Sequence, residues 1–293
     1  MPLDTVSTLR LKDAVLELSS RTHIMGVINV TPDSFSDGGR FIRGDRGGRP
    51  DFMLAVETAL KMAEDGADII DVGGESTRPG AERLPLEEEL ARVVPVIEGI
   101  RKHSDVPVSI DTYKSETAKA AVLAGASIIN DISGGGFDPD MLPLAASAGA
   151  AVILMHIKGT PADMQKEPHY EDVVREVKDY LAERAKEAVS AGVPRDKILV
   201  DPGIGFGKTV RHNLELINRL DEIAALGYPV VLGTSRKAFI GRLTGVAEAK
   251  DRLDGTIASC VVGIVRGAKV IRVHDVRAAK RAATVADAIL KAR

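Results

Sequence analysis

The stretch Ile24-Met-Gly-Val-Ile-Asn29-Val-Thr-Pro-Asp33-Ser-Phe35-Ser-Asp37-Gly38-Gly39 decides how the chain is read. It opens as a short apolar run, Ile24 to Ile28, of the length and composition of a buried strand. It turns polar at Asn29, and Pro32 and the Gly38-Gly39 pair prevent continuation. Seven further apolar runs repeat this form. Ile69 to Val72 runs into Gly73-Gly-Glu75, Val108 to Ile110 into Asp111, Ile128-Ile129 into Asn130 and Ala151 to Met155 into His156. Ile198 to Val200 leads to Asp201, Val230 to Leu232 to Gly233-Thr-Ser235, and Val270 to Val273 to His274. Strands that each deliver a polar residue at their C-terminal end, separated by helical patterns, predict a TIM-type (β/α)8 barrel whose carboxyl-end face carries the chemistry. A doubly wound open sheet alternates in the same way, but its ligand residues gather at a switch point rather than at every strand end.

Length and composition agree. The 293 residues show no composition shift or linker, so residues 22–293 read as one barrel domain. Residues 1–21 read as a hairpin or a cap at its closed end. The net charge of −3 argues against a nucleic-acid partner. No apolar run reaches the roughly 18 residues of a membrane span, and no leader pattern opens the chain. The single cysteine, Cys260, rules out an internal disulfide and lies in an apolar helical run. These features predict a cytoplasmic protein. Helical patterns include 51–65, 85–100, 171–191 and 214–226, with Ser115 expected to cap the helix that follows Asp111.

Generic motifs fail. Gly207-Lys208-Thr209 resembles the end of a phosphate loop, but Pro202 stands where its first glycine is required. Gly203-Ile-Gly205-Phe-Gly207 is not a dinucleotide fingerprint. The six histidines lack zinc-ligand spacing, and there is no G-x-S-x-G elbow. What remains is a ring of carboxylates, amides and cations. Asp111, Asn130 and Asp201 suit a heterocycle with an amidine-like edge, because two parallel N–H donors match two carboxylate oxygens. Asn29, Arg78, Arg272 and His274 suit a phosphate-like anion. Each residue alone has a bland reading as a helix cap or a solvated side chain; the set converging on one mouth does not.

These residues carry a resemblance to the dihydropteroate synthases. Asn29-Val-Thr-Pro-Asp-Ser-Phe-Ser-Asp-Gly38 and Gly74-Glu-Ser-Thr-Arg-Pro-Gly80 are similar to that family's first two signatures. Ser109-Ile-Asp-Thr112, Ile129-Asn-Asp131, Met155-His156 with Gly159-Thr-Pro161, Asp201 to Thr209, Ser235-Arg-Lys237 and Arg272-Val-His274 follow in family order. The resemblance implies a transferase of folate biosynthesis. It would condense 6-hydroxymethyl-7,8-dihydropterin diphosphate with p-aminobenzoate, and sulfonamides would compete for the second site.

By position, Asp111, Asn130, Asp201 and Lys237 would hold the pterin, in a slot shaped by Met155, Phe206 and Gly233. Asn29, Thr77, Arg78, Arg272, Val273 and His274 would take the diphosphate, with Asn29 contributing to a Mg²⁺ site. Phe35, Thr77, Pro79, Ser235, Lys237 and Ala238 would border the p-aminobenzoate. Asp111, Lys237, Arg272 and His274 would carry the catalysis, and a homodimer through late helices is implied. Ala238 departs from the serine many members have. The basic segment Arg40 to Arg49 is either a solvated loop or a lid over the diphosphate. The competing readings are a methyltetrahydrofolate methyltransferase, which needs no diphosphate cations, and a non-catalytic pterin-binding barrel.

Overall fold

The fold is that of a computed structural model describing residues 5–12, 14–31, 52–78 and 80–292. An antiparallel hairpin, β1 (Thr8–Arg10) and β2 (Val15–Glu17), precedes a closed parallel barrel. The barrel strands are β3 (His23–Asn29), β4 (Ile69–Gly73), β5 (Val108–Asp111), β6 (Ile128–Asp131), β7 (Ala151–Met155), β8 (Ile198–Asp201), β9 (Val230–Leu232) and β10 (Ala268–Val273). They pair in chain order, and β10 closes onto β3. Helices α1 (Phe52–Glu64), α2 (Leu86–His103), α3 (Ser115–Ala124), α4 (Met141–Ala148), α5 (Val173–Ser190), α6 (Val210–Asn218), α7 (Leu220–Ala224), α8 (Ala238–Thr244), α9 (Leu253–Val265) and α10 (Val276–Lys291) follow the strands.

The period of two along each strand sorts the side chains. Ile24 and Ile28 of β3, Ile70 and Val72 of β4 and Ile271 and Val273 of β10 pack outward in the large core shared with the helices. Met25, Ile69, Ile128, Ala151, Ile153, Leu199, Val231 and Val270 point inward and meet Leu9, Leu11 and Leu18 from the hairpin segment. Inward positions nearer the strands' C-terminal ends are Asn29, Asp71, Asp111, Asn130, Met155, Asp201 and Arg272, which line the opposite, open end. Register sets Asn29 beside Gly73, Gly73 beside Asp111 and Asp111 beside Asn130, with Asp71 one inward position lower beside Ser109, and Met155 beside Asp201.

Two local expectations change. Ser115 is the first residue of α3 and does not cap it, since Lys114 occupies the cap position and makes no side-chain capping bond. The Ser115 amide N–H donates instead to Asp138 Oδ2 at 2.7 Å. The predicted helix 214–226 starts earlier and divides into α6 and α7, because Thr209 and His212 form a capping box at the start of α6.

Candidate active site

The centre of the open end is Arg272. Its Nε donates to Asp71 Oδ2 and its terminal nitrogen to Asp111 Oδ2, both at 2.6 Å. Asn130 Nδ2 donates to the same Asp71 oxygen at 3.1 Å. Two carboxylates on adjacent strands thus fix one guanidinium, whose planar fork suits such pairing. Despite its burial, these pairs hold the Arg272 pKa above its ordinary value. Burial pushes Asp111 upward; Arg272 opposes that rise, and neighbouring Asp71 and Glu89 add to it.

Asp201 faces the same space. Its Oδ1 accepts the Gly203 amide at 2.7 Å, which orients the carboxylate. Burial raises its pKa, against the Gly203 N–H and the Lys237 charge. Lys237 Nζ lies 4.1 Å from the centroid of the Phe206 ring, a cation–π distance. Burial first and the Arg272 charge second bring Lys237 down to about 8. Met155 forms part of an apolar wall with Tyr113, Ile132, Ile157 and Met164, against which Phe206 packs. Gly233 leaves space beside Arg272, whose Cβ would be 3.8 Å from an added side chain there.

Ser235 and His274 join the loops after β9 and β10. Ser235 Oγ accepts the His274 backbone N–H at 3.2 Å and lies 3.0 Å from its Nδ1. The serine proton then points at Nδ1 and leaves Nε2 carrying the ring hydrogen, a tautomer inferred from this pattern. Burial and then the Arg236 charge drop His274 to about 3, so the ring is neutral and donates. Between them Arg236, at φ 58°, forms a two-point pair with Asp275 at 3.0 and 2.9 Å. A non-glycine residue in the left-handed region is held there by its surroundings.

Asn29 comes close to Asp111. A side chain at Gly73 would be 3.7 Å from both Asn29 Oδ1 and the Asp111 carboxyl carbon. Thr77 is half-buried and Arg78 exposed on the loop after β4, and neither is hydrogen-bonded to the cluster among the described residues. Ala238 opens α8 and is exposed. The Val273 side chain is fully buried in the outer core, packed away from the mouth. Phe35, Pro79 and the basic segment 40–49 lie outside the described residues.

Two participants escaped the sequence reading. Asp71 sits inside an apolar strand, Ile-Ile-Asp-Val-Gly, rather than at its end; the signal was the cost of burying a carboxylate without a cation. Lys208, also buried, lies 2.9 Å from His156 Nδ1 and donates to the Phe206 carbonyl at 2.9 Å. Desolvation and then the Lys208 charge lower His156 to about 2. The pair fastens the loop after β7 to the loop that carries Phe206.

The family profile of pterin binding enzymes matches residues 25–274. The chain is 45% identical over 288 residues to the dihydropteroate synthase of Bacillus subtilis, covering 98% of this chain and 95% of that one. It is 44% identical to the Synechocystis enzyme of the same name, over 94% and 92% of the two chains. Among solved structures, Xanthomonas albilineans dihydropteroate synthase with 4-aminobenzoic acid superimposes with a TM-score of 0.89 at 43% identity, covering 99% and 100%. The same enzyme in complex with 7,8-dihydropteroate gives 0.85 at 40% identity, covering 98% and 100%. Barrel, strand-end residues and full-length likeness together make this chain a member of the dihydropteroate synthase family of pterin-binding transferases.

Proposed function

We infer that the chain condenses 6-hydroxymethyl-7,8-dihydropterin diphosphate with p-aminobenzoate, giving 7,8-dihydropteroate and diphosphate. The observation that carries this reading is the alternation of charge around one mouth. Carboxylates and an amide (Asp111, Asn130, Asp201) face a heterocycle, while Arg272, neutral His274 and Lys237 stand ready for anionic or carbonyl oxygens. Asp201 receives the N–H edge of the pterin with Asn130 beside it. Lys237 donates to the ring's acceptor side, and Met155 and Phe206 pack on its apolar face.

The bond between the pterin methylene and the diphosphate oxygen breaks, and its electron pair leaves with the diphosphate. The p-aminobenzoate nitrogen then supplies the pair for the new C–N bond and loses a proton to the departing anion or to water. Negative charge builds on the leaving group, where Arg272 and the Nε2–H of His274, with Arg78 on the adjacent loop, stabilise it. Positive charge builds on the pterin methylene, which Asp111 faces. A strong base is unnecessary for an arylamine, and the sequence of events is dissociative with no covalent enzyme intermediate.

Among the described residues no three carboxylate, histidine or cysteine side chains gather into a closed metal site. An oxygen donor at Asn29 beside the Asp111 carboxyl nonetheless fits Mg²⁺, which keeps few protein ligands and takes the rest from substrate phosphates and water. Asn29 would hold the ion, which supplies charge neutralisation for the leaving diphosphate. Thr77, Ser235, Lys237 and Ala238 would border the p-aminobenzoate, so sulfonamides are expected to compete. A Yersinia pestis relative, 39% identical, has been solved as a sulfonamide drug complex.

The homodimer belongs to the same proposal. A groove of about 430 Å³ between α6, α8 and α9 is lined by Leu214, Phe239, Leu243 and Val262. Leu214, Leu243 and Val262 stay exposed, an apolar surface a second copy would cover. A cytoplasmic location accompanies it, with Cys260 a free, buried thiol. No helix among the described residues is long and apolar enough to cross a membrane. The decisive assay is diphosphate release from the pterin diphosphate. The dissociative order predicts some diphosphate release without p-aminobenzoate and faster turnover to 7,8-dihydropteroate with it, and a pterin covalently bound to enzyme after acid quench would overturn the scheme.

A further inference from the structure

Beneath the loop that bears Thr77 and Arg78 lies a buried ionic cluster. Lys114 is 7% exposed and Glu89 is fully buried. Lys114 Nζ donates to Glu75 Oε2 at 2.6 Å, to the Leu84 carbonyl at 2.6 Å and to Glu89 Oε2 at 2.8 Å. All three ammonium hydrogens are thereby used. Glu75 also accepts from the Tyr113 hydroxyl. Glu89 accepts from Thr112 Oγ1 at 2.8 Å and from Thr117 Oγ1 at 3.1 Å.

The positions of these partners matter more than their number. Glu75 lies two residues past β4 and two before Thr77, at the start of the loop. Leu84 is at the loop's end, and Glu89 is in the first turn of α2. One lysine therefore fastens both ends of the segment that carries Thr77 and Arg78. The same cluster reaches Thr112, the residue directly after Asp111. The loop's anchor and the pterin-side carboxylate thus share one frame. Further tethers of the loop are the Gly80 N–H on the Pro161 carbonyl at 3.0 Å and Arg92, which donates to the Gly74 carbonyl at 2.9 Å.

We propose that Lys114, through Glu75 and Leu84, is a positioning residue that sets Thr77 and Arg78 against the reacting centre without touching substrate. The claim rests on the proposed function's assignment of that loop to p-aminobenzoate and diphosphate. It predicts a division between the two substrates. The pterin lies among Asp111, Asn130 and Asp201, which keep their own bonds when the anchor is cut, whereas the second substrate depends on the loop. Misplacement of a positioning group by about 1 Å can cost on the order of a hundredfold in rate.

The test is Glu75→Gln/Lys114→Met, which removes one negative and one positive charge and leaves the cluster's net charge as it was. Expected are a rise of about tenfold or more in the KM for p-aminobenzoate and faster amide exchange across residues 75–84. The Kd for hydroxymethylpterin without its diphosphate should change less than about twofold. An unchanged p-aminobenzoate KM in the folded variant overturns the proposal, as does a pterin affinity that falls in the same proportion. Should the pair fail to fold, Glu75→Gln alone is measured: it keeps an acceptor for Lys114 but ends the Lys114–Glu75 ion pair and leaves the one with Glu89. A KM raised about threefold supports the proposal and an unchanged one overturns it. Arg78→Ala in the native background separates the two layers. If it leaves diphosphate release untouched, the loop assignment itself is wrong and the proposal falls with it. If it is damaging while the anchor variants are silent, only the anchor is refuted.

Discussion

Replacing Gly203 by alanine tests how the mouth is held together. Gly203 has φ +69°, and an added Cβ would lie 1.9 Å from the His156 carbonyl oxygen, about 1.4 Å short of a normal C···O approach of about 3.3 Å. The obstacle is backbone, so no rotamer change relieves it. Left-handed geometry costs a non-glycine residue about 1–2 kcal/mol, and forcing atoms into a filled space about 1–3 kcal/mol more. The sum is about 2–5 kcal/mol, or roughly 5–15 °C in Tm for a domain of this size. A control separates the two contributions: Gly245 has φ +74° but no atom within 4 Å of its added Cβ among the described residues. Gly245→Ala should therefore lose only about 1–2 kcal/mol.

The Gly203 substitution has a second consequence, since moving its amide removes the bond that orients Asp201. Calorimetric Tm values for both variants, with pterin titrations well below their midpoints, read the two effects. Equal losses of stability, or native pterin affinity in Gly203→Ala, would refute the reasoning.

Lys237→Met should stabilise the unliganded protein by about 1–2 kcal/mol at pH 7, discounted because the residue is only partly buried, while weakening pterin binding. The folded pKa of about 8 lies below the unfolded value of 10.5, so the penalty is complete below pH 8 and fades as pH rises toward 10.5. The Tm advantage should shrink accordingly between pH 7 and 9.5, and a constant advantage would contradict this. His156 and His274, at about 2 and about 3, should show no ring titration by NMR between pH 4 and 8. Because the unfolded histidines take up protons first, stability should fall as pH drops below 6.5; a midpoint above about 5 for either ring would remove the burial argument. Asp71→Asn should stay within about 1 kcal/mol of the native protein, since its oxygen can still accept from Arg272 and Asn130 and Asp111 still neutralises the guanidinium. Asp71→Ala should lose about 3 kcal/mol in urea titration. Matching losses would mean the charge, not the hydrogen bonds, is what matters there.

The barrel was legible because its strands end abruptly in residues that apolar runs do not tolerate. Asp111, Asn130, Asp201 and His274 each mark where a strand stops and the mouth begins. Their convergence with Arg272 and Lys237 follows once the sheet closes. Asp71 was hidden because it lies one inward position below the rim, inside a run that scores as plain strand. Lys114 was hidden because its three partners come from the loop before it, the end of that loop and another helix, contacts that no local pattern records. Ser115 misled for the same reason, its amide being satisfied by Asp138, 23 residues further on. The Lys208–His156 contact spans 52 residues. Strand ends are local facts; the buried ionic pairs are tertiary ones.

The leucines of the N-terminal hairpin segment close the barrel at the end away from the chemistry. Leu9, Leu11 and Leu18 are all but inaccessible and sit on the inward-facing Met25, Ile69, Leu199 and Val231. A polypeptide begun at Thr22 would keep every substrate-facing group yet leave a pipe with its lower opening unplugged and greasy. Such a truncation would be expected to clump before it could be assayed, so a purification handle belongs ahead of the stopper rather than in its place.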